Sequence, residues 1–168
     1  MLGVEHNLVR LSEHSPVWAE LYREEEQRIK DAAGEYIVDL QHIGSTSIPG
    51  IKAKPVLDML AGVRELSDVL QFQDALESIG YEYIPRAEIA TDYVFGKGTP
   101  RTHYLHIVKH GDEKWKSHLH FRDRLRTDPE LARAYERLKE DLSARFSDSQ
   151  SKYHEGKSQF INEVARTI

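Results

Sequence analysis

The sequence predicts a mixed α/β (α+β) fold, in which a β-sheet flanked by helices is followed by a C-terminal helical lobe. Two observations lead to this prediction. Between residues 15 and 109, segments of helical periodicity alternate with short runs rich in β-branched and aromatic residues. After residue 112 only helical patterns follow. Because the 168 residues contain no repeat and no linker-like stretch, we expect one domain spanning residues 1–168.

The individual elements follow from caps, breakers and periodicity. Ser15-Pro16 suits the start of a helix that ends near Gly34, and the glutamates at 24–26 are expected to face solvent. A second helix is predicted over residues 66–79, closed by Gly80. Strands are predicted at residues 36–43, 55–63, 81–84, 92–96 and 102–109. The lobe helices are predicted over residues 112–126, 128–146 and about 151–167, with Asp128-Pro129 as a clear start signal.

Composition excludes several classes of protein. The formal net charge is 23 − 28 = −5, whereas binding of nucleic-acid backbones needs a basic surface, so we expect no nucleic-acid partner. The absence of cysteine excludes disulfides, thiolate catalysis and cysteine-based zinc sites. No apolar run approaches the ~20 residues of a membrane helix, and residues 1–10 do not resemble a signal peptide. We therefore expect a cytoplasmic protein with no membrane partner.

Residues 40–58 carry the chemistry, as a strand, a glycine-containing turn and a second strand bearing an acid. Gly44 allows close approach of backbone N–H groups to an anion, and Ser45 and Thr46 can donate hydroxyls to phosphate oxygens. Lys54 adds a positive charge, and Asp58 is suited to hold a divalent cation that bridges phosphates. The alternative is a tight turn with capping hydroxyls, an exposed lysine and a salt-bridged aspartate.

The same segment resembles the signature of the GrpB family. The resemblance rests on His-Ile-Gly-Ser-Thr at 42–46, Pro-Gly at 49–50, Ala-Lys-Pro at 53–55 and the strand residue Asp58. It continues in order through the His-rich strand at 101–108, Phe-Arg-Asp-Arg-Leu-Arg at 121–126 and further positions of the last two helices. The resemblance covers the chain from Trp18 to the end.

This resemblance implies a nucleotidyltransferase-type fold, and a related domain occurs fused to dephospho-coenzyme A kinase. The superfamily pattern is a Gly-Ser turn, a strand with Asp-x-Asp or Asp-x-Glu, and a third carboxylate on a neighbouring strand. Gly44-Ser45 and Asp58 match the first two parts, which implies a catalytic and metal-binding role for Asp58. The second carboxylate is replaced by Leu60, which two-residue strand periodicity places on the same face as Asp58.

Further candidate ligands lie downstream. His106 is expected to join Asp58 at a metal, or to be a hydrogen-bonded structural histidine, whereas His103 must point to the opposite face of its strand. Arg101 and Arg122 are candidates for phosphate binding, Arg122 as a clamp with Arg126; the alternative for the helix arginines is ion pairing at the surface.

Three functions are consistent with these features. The first is a nucleotidyltransferase-like protein that binds a nucleoside triphosphate with Mg²⁺ or Mn²⁺ and transfers a nucleotidyl group to a small molecule. The second, suggested by Leu60 and by the kinase fusion, is a catalytically degenerate module that binds a phosphorylated ligand and is related to the coenzyme A pathway. The third is a scaffold that offers its C-terminal helices to a partner. The sequence favours the first.

Overall fold

The computed structural model describes residues 1–85 and 92–166. These residues form the helices α1 (Val17–Ala33), α2 (Val69–Ser78), α3 (Glu113–Thr127), α4 (Pro129–Arg145) and α5 (Gln150–Arg166). They form the strands β1 (Ile37–Ile43), β2 (Leu57–Val63), β3 (Tyr81–Tyr83), β4 (Tyr93–Lys97) and β5 (His103–Lys109). The predicted order of elements is confirmed, with bounds that differ by one to three residues. The predicted end of the last helix, Thr167, lies outside the described residues.

The strands form one mixed sheet in the order β1-β2-β5-β4-β3. The central strands β2 and β5 are parallel, and the other neighbouring pairs are antiparallel. A parallel pair needs a crossover connection, which here runs through α2, β3 and β4. The expected mixed sheet flanked by helices is therefore confirmed.

Alternate residues of β2 point to opposite faces of the sheet, as strand geometry requires. Met59 lies in the largest apolar cluster, together with Ile29 of α1 and residues of α2. Leu60 points to the other face, where it packs with Trp115 of α3. Helices α1 and α2 thus cover one face and α3 covers the other. Asp58, two residues before Leu60, lies on the face that α3 covers.

The three last helices form the predicted C-terminal lobe around a separate apolar cluster. Phe121 of α3, Tyr135 of α4 and Val164 of α5 belong to this cluster, and so do Ile48 and Ile51 from the loop that follows β1. The loop between β1 and β2 is therefore anchored in the lobe. No helix in residues 1–85 and 92–166 is long and apolar enough to span a bilayer.

Aspartates start two of the lobe helices, and one of them follows the predicted signal. Asp128 accepts hydrogen bonds from the N–H groups of Glu130 and Leu131, with Pro129 in the first turn of α4. Asp112 accepts one from the N–H of Trp115 at the start of α3. Each side chain satisfies helix N–H groups that have no intrahelical partner.

The prediction that the glutamates at 24–26 all face solvent is wrong for Glu25, which is 0% exposed. Its carboxylate accepts hydrogen bonds from the Tyr81 hydroxyl at 2.8 Å and from Lys97 Nζ at 2.7 Å. Residue 25 lies seven positions after Trp18 and four before Ile29, so it shares their buried face of α1. Burial raises the pKa of Glu25, but the hydrogen bonds from Lys97, Tyr81 and Arg28 and the neighbouring His103 together lower it by more, so the carboxylate stays charged.

Candidate functional site

A cleft of about 960 Å³ lies between the carboxyl end of β1, the start of β2 and the lobe helices α3 and α5. Six of the eight residues predicted for the site line it. These are Gly44, Ser45, Thr46, Lys54, Asp58 and His106. The remaining walls include Asp92, Tyr104, Lys114, His118, Phe121, Tyr135, Tyr153, His154 and Lys157.

Gly44 brings the turn after β1 against the carboxylate of Asp58. A Cβ atom at this position would lie 2.7 Å from Asp58 Oδ2, closer than van der Waals contact permits. The backbone also adopts φ 72° and ψ −177°, a region that essentially only glycine occupies. Both constraints explain why glycine is needed here. The turn that follows, Ser45–Ser47, is one 3₁₀ turn that faces the cleft.

Buried polar contacts stabilise the turn. Thr46 Oγ1 lies 2.9 Å from His42 Nε2, and the His42 ring stacks on Tyr22 with centroids 4.8 Å apart. Burial lowers the pKa of His42 to about 4, so the ring is neutral at pH 7. Ser47 Oγ donates to the carbonyl of Gly44. These contacts fix the turn before any ligand arrives.

Arg122 supports this turn and does not line the cleft. Its guanidinium is buried and donates to Gln41 Oε1 at 2.8 Å and to the carbonyl of His42 at 3.1 Å. Arg126, one turn further along α3, donates to the carbonyl of Ser47 at 2.9 Å. The two arginines share a helix face, as predicted, and both donate to backbone carbonyls in or just before the turn. Arg122 Nε also pairs with Asp123 Oδ1 at 2.8 Å, which is the ion pairing given as the alternative for these arginines. The role predicted for Arg122 in phosphate binding therefore stays a prediction.

Arg101 also lies outside the lining of the cleft. It donates to Glu82 Oε1 at 2.8 Å and stacks over Tyr104, with its guanidinium carbon 5.6 Å from the ring centroid. Its position just before β5 directs it toward β3, and its role in phosphate binding stays a prediction. His103 and His106 do point to opposite faces of β5: His103 Nε2 lies 4.0 Å from Glu25 Oε2, and His106 lines the cleft.

Asp58 is the acid that faces the turn. His106 Nε2 lies 3.7 Å from Asp58 Oδ1, and Tyr104 is the residue paired with Asp58 on β5. Partial burial raises the pKa of Asp58, but His106, Lys54 and Lys157 lower it by more, so the carboxylate is charged at pH 7. Leu60, on the same face, is fully buried in the cluster beneath α3 and contributes no ligand.

Two lysines near Asp58 lie over the ring of Tyr153. Lys54 Nζ lies 5.3 Å and Lys157 Nζ lies 4.4 Å from the centroid of the Tyr153 ring. Burial lowers the pKa of each lysine to about 8, and the Lys157 charge adds to the lowering for Lys54. The nearby Asp58 carboxylate opposes both shifts. Among residues 1–85 and 92–166, neither ammonium has a carboxylate within 4 Å.

Sequence reasoning missed the contribution of the lobe helices. Lys157 and Tyr153 are four residues apart on α5, a spacing that places them on one helix face, but nothing in the sequence joins that face to β2. Asp92, just before β4, also lines the cleft and lies 3.2 Å from Lys114 Nζ. His118 lies near both Asp58 and Asp92, and burial lowers its pKa to about 4.

The donor set does not match a two-metal centre. Such a centre needs several carboxylate oxygens to hold ions about 3.5–4 Å apart. In the described part of the chain, no three histidine, aspartate or glutamate side chains converge as metal ligands. Asp58 and His106 are two ligand residues, with three donor atoms at most, because Leu60 stands where the second carboxylate of the pattern would be.

The fold is similar to that of solved nucleotidyltransferases. A structure of Cid1 in complex with the UTP analogue UMPNPP superposes with a TM-score of 0.50 at 14% identity, over 86% of this chain and 48% of that one. A structure of the Cid1 poly(U) polymerase with Mg 3′-dATP gives a TM-score of 0.52 at 15% identity, over 86% and 49%. At such identity the likeness shows the fold alone, and the nucleotidyltransferase-like fold is thereby confirmed.

Closer relatives share the whole chain. A glutamate-rich protein GrpB of Alkalihalophilus pseudofirmus is 37% identical over 98% of both chains. The protein YqkA of Bacillus subtilis is 42% identical over 86% of this chain, which spans 42% of YqkA. The crystal structure of the conserved protein GrpB from Enterococcus faecalis superposes with a TM-score of 0.86 at 36% identity, covering 93% and 94% of the two chains. The family model described as GrpB protein matches residues 8–167. The chain belongs to the GrpB family.

Proposed function

We propose that this protein binds the phosphate groups of a nucleotide, or of another phosphorylated small molecule, in the cleft beside Asp58. The observation that carries the proposal is the charge balance of the site. The ammonium groups of the half-buried Lys54 and the buried Lys157 lie near one carboxylate, Asp58, which lowers neither pKa, and in the described part of the chain neither ammonium has a carboxylate within 4 Å. Because buried charges need compensation, an anion is the ligand that this arrangement favours.

The geometry around the lysines supports a phosphate ligand. Ser45 and Thr46 line the same cleft and belong to a turn that is fixed by Arg122 and Arg126. A turn that is already ordered loses little conformational entropy when a ligand binds. Hydroxyl groups on one wall and ammonium groups on the other can surround a phosphate with donors.

The size of the cleft supports a ligand larger than inorganic phosphate. Its volume of about 960 Å³ is at the upper end of the range for small-molecule sites. Tyr104 and Phe121 provide aromatic surface in its wall, against which a base or another ring system can pack. Cid1, whose fold is similar, has been crystallised with nucleotides and a UTP analogue, which favours a nucleoside triphosphate as the ligand.

For the reaction, we propose transfer of a nucleotidyl group to a small-molecule acceptor, with Asp58 as the catalytic carboxylate. The net charge of −5 argues against a nucleic-acid acceptor. A specific observation favours a second candidate: the buried Leu60 removes a carboxylate on which standard nucleotidyl transfer depends. Under that candidate the protein is an accessory module that binds the phosphorylated ligand without turnover. Both candidates share the binding step.

The binding step is tested by thermal unfolding with ATP, GTP, CTP, UTP and coenzyme A, each with Mg²⁺, with Mn²⁺ and with chelator. A ligand at a hundredfold excess over its dissociation constant adds about 2.7 kcal/mol, which raises the melting temperature by about 5–10 °C for a chain of this size. We expect one class of ligand to give this shift and the variants Ser45→Ala and Lys54→Met to reduce it. Lys152→Met, an exposed lysine of α5 outside the cleft, is the matched control. Unchanged melting with every ligand would refute the proposal.

The reaction is tested with the nucleotide that binds, labelled at its α-phosphate, in the presence of a metabolite extract. The transfer candidate predicts a labelled small-molecule product that Asp58→Asn abolishes while the variant still unfolds cooperatively. Binding without any labelled product would favour the accessory candidate. An unchanged rate in Asp58→Asn would remove this carboxylate from the mechanism.

A further inference from the structure

We infer that the cleft holds its polyanionic ligand through the ammonium groups of Lys54 and Lys157 and the Tyr153 hydroxyl, without a divalent metal ion between ligand and protein. The inference rests on the proposed function, because it concerns how the same cleft binds phosphate. It departs from the sequence prediction of Mg²⁺ or Mn²⁺ at Asp58 and His106.

The acidic side of the site offers few ligands for a metal ion. The face of β2 that meets the cleft offers one carboxylate, Asp58, followed by the buried Leu60. On the neighbouring strand β5, the residues paired with these two are Tyr104 and His106. Asp92 and Glu113 also line the cleft, with Lys114 Nζ 3.2 Å from the Asp92 carboxylate, but in residues 1–85 and 92–166 no three acidic or histidine side chains converge as metal ligands. Mg²⁺ requires near-octahedral oxygen coordination, and one carboxylate leaves nearly all of it to ligand and solvent.

The cationic side of the site consists of two lysines from separate segments of the chain. Lys54 comes from the loop before β2, and Lys157 comes from α5, yet both ammonium groups lie over the ring of Tyr153. Together the two lysines carry the charge of one divalent cation. Asp58 balances only half of that charge and is itself near His106. Two neighbouring ammonium groups repel each other, and a phosphate group between them removes the repulsion.

Tyr153 has a fully buried side chain and lines the cleft. Within residues 1–85 and 92–166 its hydroxyl has no hydrogen-bond partner. A buried hydroxyl without a partner is costly, and burial raises the pKa of Tyr153, so it remains a proton donor at any physiological pH. A phosphate oxygen is the acceptor that this donor lacks. The same ring thus positions both ammonium groups and adds a donor of its own.

The experiment is calorimetric titration of the full chain with inorganic tripolyphosphate, once in EDTA and once with Mg²⁺ or Mn²⁺. We expect binding in EDTA that is at least as tight as binding with metal, since metal competes for the free polyanion. Lys157→Met should weaken binding in EDTA at least tenfold, and Tyr153→Phe, which removes only the hydroxyl, about three- to tenfold. Lys152→Met should bind like the wild type. Lys54→Met is the second charge variant, in case Lys157→Met does not fold.

The outcomes separate this inference from the proposed function. Binding that occurs only with metal, or that tightens more than tenfold when metal is added, overturns the inference and leaves the proposed phosphate site intact. Wild-type affinity in both Lys54→Met and Lys157→Met overturns it as well. No binding of tripolyphosphate or of any nucleotide under either condition overturns the proposed function, and this inference with it.

Discussion

We predict that Lys157, which is proposed to bind the ligand, lowers the free energy of unfolding of the protein. Its side chain is 8% exposed, and burial lowers its pKa from 10.5 to about 8. A pKa that is about 2.5 units lower in the folded state corresponds to about 3 kcal/mol of destabilisation at pH 7, at about 1.4 kcal/mol for each unit. Replacement by methionine keeps most of the volume and removes the charge. The contact of the ammonium with the Tyr153 ring is lost, which offsets about 1 kcal/mol.

We therefore expect Lys157→Met to raise the free energy of unfolding by about 2 kcal/mol at pH 7, and the melting temperature by about 4–8 °C. The gain must depend on pH. Between pH 8 and 10.5 the unfolded wild-type chain binds more protons at Lys157 than the folded chain does, so wild-type stability rises with pH over this range. The advantage of the variant is therefore complete below pH 8 and disappears above pH 10.5.

The assay is urea unfolding of both chains at pH 7.0 and at pH 9.5, with Lys152→Met as the exposed control on the same helix. We expect the difference between Lys157→Met and wild type to shrink by more than half at the higher pH, and the control to stay within about 0.5 kcal/mol of wild type throughout. A variant that is less stable than wild type at pH 7, or a difference that ignores pH, would refute the assignment of Lys157 as a buried, uncompensated cation.

Three further variants test the framework of the site. Gly44→Ala should cost at least about 2 kcal/mol of unfolding free energy and abolish ligand binding, because the added Cβ would collide with Asp58. Gly50→Ala is the control, since Gly50 has a positive φ of 83° but open space around it, and this variant should bind ligand normally. Equal loss of binding in both variants would contradict the steric explanation. Arg122→Met should cost about 2–4 kcal/mol in chemical unfolding, because the carbonyl of His42 loses a buried donor; a loss below 0.5 kcal/mol would show that the turn does not depend on it. Glu25→Gln should cost about 1.5–3 kcal/mol at pH 7, because Lys97 and Tyr81 lose the charged acceptor of their hydrogen bonds, against under 0.5 kcal/mol for the exposed Glu24→Gln. Because the pKa of Glu25 is lowered on folding, its contribution is present above pH 4.5 and is lost as the pH falls through the folded-state pKa, so only the wild type should show that acid-dependent loss.

Local sequence signals were sufficient for the elements and for half of the site. The Asp128-Pro129 start of α4 confirms its prediction because a cap and a proline act within one turn. The turn at Gly44 and the strand acid Asp58 meet because consecutive antiparallel strands pair, which places Ile43 opposite Asp58. That pairing follows from chain order alone.

The other half of the site depends on contacts that no local pattern encodes. Lys157 lines the same cleft as Asp58 only because α5 packs in the lobe beside the loop that carries Ile48 and Ile51. From the sequence alone, Arg122 is indistinguishable from a surface arginine near carboxylates. Only the packing of α3 against β1 shows that it donates to a backbone carbonyl. The prediction that Glu25 faces solvent was wrong for the same reason, since its partners Tyr81 and Lys97 lie on β3 and β4, far along the chain.

The most direct measurement is a crystal structure of the protein with the nucleotide, or the tripolyphosphate, that binds in solution. We expect phosphate oxygens within hydrogen-bonding distance of Lys54 Nζ, Lys157 Nζ and the Tyr153 hydroxyl, with the Gly44 turn unchanged. A ligand bound elsewhere on the surface, or one held at Asp58 by metal ions with both lysines turned away, would contradict this expectation.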